Sequence, residues 1–402
     1  MTTTTTSTTH VPHSAVSDDV MALMLDETAD ARGLPNDAFT SPEFLALEFK
    51  HVFTRTWTFA GVASDVSEPG DVKPIEIAGR ALILLTDHRG KTRVFHNVCP
   101  HRGARLVTDS AHGVRALTCP YHAWSFGLNG ELKGRPHFHG PEKHDFGANG
   151  ASPACLFEAR SARWNDLVFV NLDGKAPEFE TYMRPLMERY QDLNLDAFQV
   201  GHYKAYTFDC NWKLAVENFF DQYHVFNVHP ALDAMQTVGD RFGMTPHGHH
   251  LFNRSVMAGE GRGLAIDANG PLLPEPPNLA PALRRELRYC ALFPNAAMTF
   301  FPSNFQFLMF EPVSVDKTTM HMWFFFVADG AWLEEYREAR ETVVADWDAL
   351  NAEDIGICRR LQEGRVCDAY DGGRFSPYWD AGTVHFHRQI AEAVRGAGGF
   401  ER

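Results

Sequence analysis

The chain has 402 residues, 44% of them hydrophobic and 22% charged, an ordinary globular composition with length enough for two domains. Its formal net charge of −14 argues against a nucleic-acid partner and against anionic membranes, and is compatible with a cationic substrate or a basic redox partner. No run approaches the ~18 apolar residues of a membrane span, and seven cysteines without an export signal point to a reducing cytoplasm rather than a disulfide scaffold.

In chain order, "MTTTTTSTTHVPHS" reads as a low-complexity start, and residues 1–40 are expected to form a disordered tail. "SPEFLALEFKHVFTRTWTFAG" (41–61) has a Ser-Pro start and apolar residues at helical spacing, which predicts a helix. From about Asp65 to Leu172, short β-rich segments broken by Gly and "DHRG" predict antiparallel hairpins, with "WNDLVFVNLDG" as the last strand and Pro177 at a boundary. Beyond it, "FETYMRPLMERYQDLNL" is helical, and the segment after His202 starts as a strand and turns helical near Trp212. Residues 287–328 are strand-like and aromatic, 331–365 form a long helix, and a short helix lies near 383–396. The layout is a small all-β domain followed by a larger α+β domain.

"CPHRGARLVTDSAHGVRALTCPYH" pairs Cys99 with His101 and Cys119 with His122, with 17 residues between the pairs. Three readings compete: satisfied core residues, a structural zinc site, and a Rieske [2Fe–2S] centre in which two histidines replace two cysteines on one iron. Zinc motifs usually keep one ligand type per pair. Here each loop offers one Cys and one His, so each can send its thiolate to one iron and its imidazole to the other.

A second constellation lies in "NWKLAVENFFDQYHVFNVHP" (211–230). On a continuous helix Asp221 and His224 share a face, as do Glu217 and Asp221. His224 and His229 would diverge by about 140°, unless the helix loosens before Pro230. Two histidines and a distant carboxylate make the facial triad of mononuclear non-haem Fe(II) enzymes.

Taken with "NVCPHRGA", "CPYHAWSF" and "FVNLDG", these motifs resemble the large (alpha) subunit of the Rieske non-haem iron oxygenases, the ring-hydroxylating family, from about residue 45 onward, with similarity to the choline, betaine and carnitine monooxygenase-like branch. The resemblance implies an α+β fold: residues 41–175 as an N-terminal helix and an antiparallel β-sandwich Rieske domain, and 176–402 as a catalytic domain with a helix-covered antiparallel sheet of helix-grip type. It implies that Cys99, His101, Cys119 and His122 hold the cluster and that His224 and His229 hold Fe(II). The third iron ligand is expected at Asp354 in "NAEDIGICRRLQEGR"; Glu353 is its neighbour about 100° away on the helix, and Asp346 and Asp348 read as a solvated face. Asp221 would bridge a cluster histidine of a neighbouring subunit to an iron-ligand histidine, which needs at least a dimer and, in this family, a ring of three, with or without a small beta subunit. No dinucleotide fingerprint is present, so electrons would come from a separate NAD(P)H-dependent reductase or a ferredoxin.

The expected activity is O2-dependent hydroxylation of a small organic substrate, first an aromatic compound; the alternative is monooxygenation or N-demethylation of a quaternary ammonium compound. A simple Rieske electron carrier and a zinc-stabilised binding module are the non-enzyme readings. Pocket residues are sought among Phe219, Phe220, Phe226, Phe300, Phe301, Phe305, Phe307, Phe310 and Trp323, most of which should be core.

Overall fold

Ser41 caps the first long helix, accepting from Phe44 N–H at 3.1 Å, and Pro42 occupies the first helical position, where its missing N–H costs nothing. The computed structural model describes Val16 and residues 32–146, 154–235, 238–256, 272–370 and 372–397. The expected tail therefore lies mostly outside the described residues, but residues 32–40 are ordered rather than loose. Gly33 N–H donates to Gly372 O at 3.0 Å, Leu34 N–H donates to His387 Nδ1 at 3.0 Å, and Phe39 is fully buried in the helix Asp37–Thr40. The helix expected over 41–61 is also shorter than its apolar pattern suggested. It runs as Pro42–Glu48, widens into a π-helical turn at Phe49–Phe53, and gives way to strand β1 (Thr58–Val62), because Trp57, Phe59 and Val62 are drawn into the core of a sheet.

The N-terminal part is built from three small antiparallel sheets. β2 (Val72–Ile77), β3 (Arg80–Thr86) and β4 (Thr92–His96) form one; β5 (Leu117–Thr118), β6 (Ser125–Phe126) and β7 (Leu132–Gly134) form the second. β8 (Arg160–Trp164) and β9 (Leu167–Asn171) form a hairpin, and β9 pairs with β1 in the third. Ile83, Leu85, Phe95, Trp124 and Phe126 build a separate core around Cys99 and Cys119.

The C-terminal part is a seven-stranded antiparallel sheet of β10 (Phe198–Phe208), β11 (Thr245–His247), β12 (His250–Val256), β13 (Glu286–Leu292), β14 (Ala296–Phe301), β15 (Asn304–Ser314) and β16 (Lys317–Val327), in the spatial order 10-16-15-14-13-12-11. Both faces are covered, which is why "MHMWFFFV" in β16 is apolar without a break. Met320, Met322, Phe324 and Phe326 face a core shared with the helices Trp212–Phe220, Arg337–Gly364 and Ala381–Ala397. Trp323, Phe325 and Val327 face the β1–β9–β8 sheet and the helix Phe179–Tyr190. On that second face Phe305 stacks on Phe325 at 4.2 Å and Phe59 meets Phe307 at 4.6 Å, contacts worth roughly 0.5–1.5 kcal/mol each beyond their buried area. Among the described residues no helix is long and apolar enough to cross a membrane.

Candidate functional sites

The two Cys–His loops are near-copies in backbone. Gly103 N–H donates to Cys99 O at 2.9 Å and Ala123 N–H to Cys119 O at 3.0 Å, so each chain reverses four residues after its cysteine. Both turning residues have positive φ, 75° at Gly103 and 55° at Ala123. Ala123 pays roughly 1–2 kcal/mol for that conformation, a strain tolerated where a site holds the loop. Cys99 and Cys119 are buried while His122 is exposed and His101 half-buried. Burial raises the Cys99 thiol pKa; the backbone N–H groups of His101 and Arg102 pull the other way, aimed at its sulfur, and the adjacent Cys119 thiol adds to the rise. The imidazole rings of His101 and His122 lie 4.8 Å apart, and His101 Nδ1 is buried without a hydrogen-bond partner. Two thiols inside, two imidazoles outside and an orphaned ring nitrogen fit a cluster held from one side.

The second group forms where the helix Trp212–Phe220 ends. The structure corrects the shared helix face expected for Asp221 and His224. Asp221 leaves the helix at ψ 115°, because its own Oδ1 accepts Tyr223 N–H at 2.6 Å and competes with helical bonding. Its Oδ2 then lies 3.1 Å from His224 Nδ1. Glu217 serves elsewhere, accepting from His387 Nε2 at 2.7 Å. A one-turn helix, Val225–Val228, separates the two histidines: the helical path breaks at Asp221, before His224, and again at His229, whose ψ of 76° is the loosening expected just ahead of Pro230, where another helix starts.

His224 Nε2 and His229 Nε2 face each other at 3.1 Å, and Asp354 Oδ1 lies 2.9 Å from His229 Nε2 and 3.6 Å from His224 Nε2. Asp354 Oδ1 makes no well-aligned hydrogen bond to either, so the three atoms converge without satisfying one another. Both outer ring nitrogens donate to carboxylates: His224 Nδ1–H to Asp221, and His229 Nδ1–H to Glu353 Oε2 at 2.7 Å. With each Nδ1–H held by a carboxylate, Nε2 is the nitrogen left for a metal, which would displace any proton there, and the carboxylates raise the basicity of both rings. Burial disfavours charge on His224, yet Asp221 and Asp354 outweigh it and raise its pKa to about 9; burial opposes charge on His229 too, and Asp354 and Glu353 raise its pKa against it. Burial also opposes the Asp354 carboxylate, and the two imidazoles prevail to hold it near 2. The pocket favours a positive charge, and a divalent cation would supply it.

The apolar walls beside this group include Phe219, Val225, Leu232, Tyr289, Phe301, Trp347 and Leu350. Of the aromatic residues singled out by sequence, Phe219 and Phe301 line it. Phe220 packs on Phe386, Phe226 is exposed, Phe310 packs against Phe219, and Phe300, Phe305, Phe307 and Trp323 sit in the core on the opposite face of the sheet. Trp347, Tyr289 and Asn218 were missed; the signal for Trp347 was its place two turns before Asp354 on one helix. Trp347 Nε1 is buried with no hydrogen-bond partner, a polar handle on these walls. Asp348 is not merely solvated: it binds Lys204 at 2.5 Å and accepts from Tyr206 at 2.8 Å, tying the long helix to β10. Beneath the site Lys213 and Glu48 form a fully buried ion pair at 2.7 Å, with Trp212 Nε1 donating to Glu48 at 2.9 Å.

Comparison with known proteins agrees with both halves. The family described as "Ring hydroxylating alpha subunit (catalytic domain)" matches residues 195–396, and "Rieske [2Fe-2S] domain" matches 56–144. The glycine betaine monooxygenase oxygenase subunit of Chromohalobacter salexigens is 31% identical over 222 residues, 54% of this chain and 48% of that protein, so the chain spans about half the length of that relative. The carnitine monooxygenase oxygenase subunit of Acinetobacter pittii is 25% identical over 377 residues, 89% of this chain and 94% of that one. A quaternary ammonium Rieske monooxygenase studied for carnitine oxidation and inter-subunit electron transfer shares the fold, with a TM-score of 0.75 at 21% identity over 90% of this chain and 95% of that chain. The chain belongs to the ring-hydroxylating alpha subunits, the Rieske non-haem iron oxygenases, whose cofactors are a Rieske [2Fe–2S] cluster and a mononuclear iron.

Proposed function

We propose that this chain is the terminal oxygenase of a multicomponent system acting on a quaternary ammonium compound of the carnitine, betaine or choline type. The observation that carries this class over the aromatic substrate first expected is the match to carnitine monooxygenases over nine-tenths of the chain. Aromatic walls suit an ammonium head by cation–π attraction, and Trp347 Nε1 offers a donor to an oxygen of the substrate. In this reading the domains divide near residue 175.

Cys99, His101, Cys119 and His122 would hold the cluster, and His224, His229 and Asp354 the Fe(II). When bound, the cluster supplies single electrons and the iron activates O2 for insertion into the substrate. Asp221 and Glu353 hold the two imidazoles in the ligating tautomer. Asp221, with its side chain 29% exposed, keeps an outer edge free for a cluster histidine of a neighbouring subunit in a homotrimer. Phe219, Phe301 and Tyr289 exclude water from the reacting face. A separate NAD(P)H-dependent reductase, with or without a ferredoxin, supplies the electrons.

The test is O2- and NADH-coupled turnover with a supplied reductase, comparing carnitine, glycine betaine and choline with biphenyl and benzoate. Product from the ammonium panel supports the reading; product from the aromatic panel alone overturns it.

A further inference from the structure

Trp124 is nearly buried and lies flat on the His101 ring, with centroids 4.5 Å apart and planes 2° from parallel. With His122 4.8 Å away, His101 is confined between two rings. Trp124 is in turn packed by a short hairpin that the proposed reaction does not use. Its strands close through Arg135 N–H to Asp145 O at 2.6 Å and Asp145 N–H to Arg135 O at 3.0 Å. The Arg135 guanidinium sits 5.1 Å from the Trp124 ring and 3.7 Å from that of Phe138, whose edge meets Trp124 at 5.7 Å. Arg135 Nε donates to Asp145 Oδ2 at 2.8 Å, and both partners are largely withdrawn from solvent, with side chains 17% and 22% exposed.

A stacked aromatic ring alone would fix the orientation of His101. An ion pair behind that ring does more, because it places one fixed charge of each sign near the cluster loop in a poorly screened setting. Cluster potentials respond to nearby charge, hydrogen bonding and exposure. Reduction adds an electron, so a nearby cation favours the reduced state and a nearby anion opposes it. Arg135 is the charge on the aromatic stack, and Asp145 is both its anchor and its counterweight.

We propose that Trp124, Arg135 and Asp145 are positioning residues that set the reduction potential of the cluster, Trp124 by holding the His101 ring and the Arg135–Asp145 pair by balancing charge behind it. This inference rests on His101 being a cluster ligand.

The experiment is a potentiometric titration of the purified holoprotein, reduced by one electron per cluster with dithionite, followed by visible and EPR spectra. Arg135→Gln leaves Asp145 unbalanced and is expected to lower the midpoint, whereas Asp145→Asn frees the Arg135 charge and is expected to raise it. Each shift should be up to about tenfold in the reduction equilibrium, or 59 mV for one electron. Trp124→Phe, which keeps a stacked ring, should retain the wild-type EPR line shape, and Trp124→Leu should change it. Shifts of the two charge variants in the same direction, or no shift in either, overturn the proposal. If Trp124→Leu fails to take up the cluster, the charge pair still decides. Absence of a Rieske-type signal in the unaltered protein would instead overturn the assignment of the cluster itself.

Discussion

Two groups of two histidines and a carboxylate occur among the described residues, each with its ligand atoms within 4.8 Å: His224, His229 and Asp354 inside the catalytic domain, and His137, Glu142 and His144 on an exposed loop. Distance does not separate them; the second nitrogen of each ring does. In the inner group both Nδ1 atoms donate to carboxylates, so the Nε2 atoms are the ones left to point at one another and at Asp354. In the outer group His137 Nδ1 accepts Glu142 N–H at 3.0 Å and His144 Nδ1 accepts His137 N–H at 3.1 Å. Those rings must carry their protons on Nε2, and ligation there would break a backbone hydrogen bond first. The inner group is prepared for a cation, and the outer one is a satisfied turn.

The largest expected effect that separates the groups is that of Asp354→Ala. Iron should fall from about three to about two per chain with the cluster spectrum intact, and turnover should drop more than about a hundredfold. Full iron content in that variant would sink the assignment. Rigidity of the inner group comes next. Lys213→Met strands Glu48 in the core and should cost about 3–5 kcal/mol in urea unfolding, while adding Glu48→Leu should recover most of it. A double variant no more stable than the single one would show that the pair does not anchor the helix Trp212–Phe220.

Glu353→Gln tests the second nitrogen directly. It should weaken iron retention against a chelator by about 10–100-fold and leave the cluster potential unchanged. Wild-type iron retention would remove the tautomer as the distinction between the two groups. A smaller effect concerns a histidine with no carboxylate partner. His250 Nε2–H donates to Tyr182 O at 2.8 Å, and burial holds its pKa down to about 4. Between about 6.5 and 4 the unfolded chain binds a proton that the folded chain refuses, so this contribution is full above about 6.5 and is lost as pH falls towards 4. His250→Gln should flatten the acid limb of stability against pH by up to one proton; an unaltered slope would contradict that. Last, Glu142→Gln in the outer group should leave metal content and turnover unchanged. Loss of a bound metal in that variant would break the comparison.

Much of this was legible in the chain. Ser41 and Pro42 announced a helix start, the strand-like aromatic stretch 287–328 announced the strands β13 to β16, and the mixed Cys–His pairs announced a two-iron site. Asp354 could be placed only through resemblance. Glu353 stood beside it as a rival, and the fold gives it a different task, because adjacent helical residues point about 100° apart and can serve different parts of one site. The contact of Glu353 with His229 spans 124 positions, and no local pattern encodes it. The burial of Lys213 was equally hidden, since its partner Glu48 lies 165 positions earlier, on the first long helix.

The sequence by itself determined which donors are present and their spacing along the chain, because loop length and turn chemistry act over a few residues: Cys99 and Cys119 each lie four positions before a chain reversal, and Asp221 carries the carboxylate that ends its own helix. Only the tertiary structure decided where the protons sit and which aromatic residues face a cavity rather than a core. Those outcomes depend on groups brought together from distant segments by the packing of a sheet between two layers, and the electrostatics of a ring nitrogen are set by whatever that packing places within about 3 Å of it.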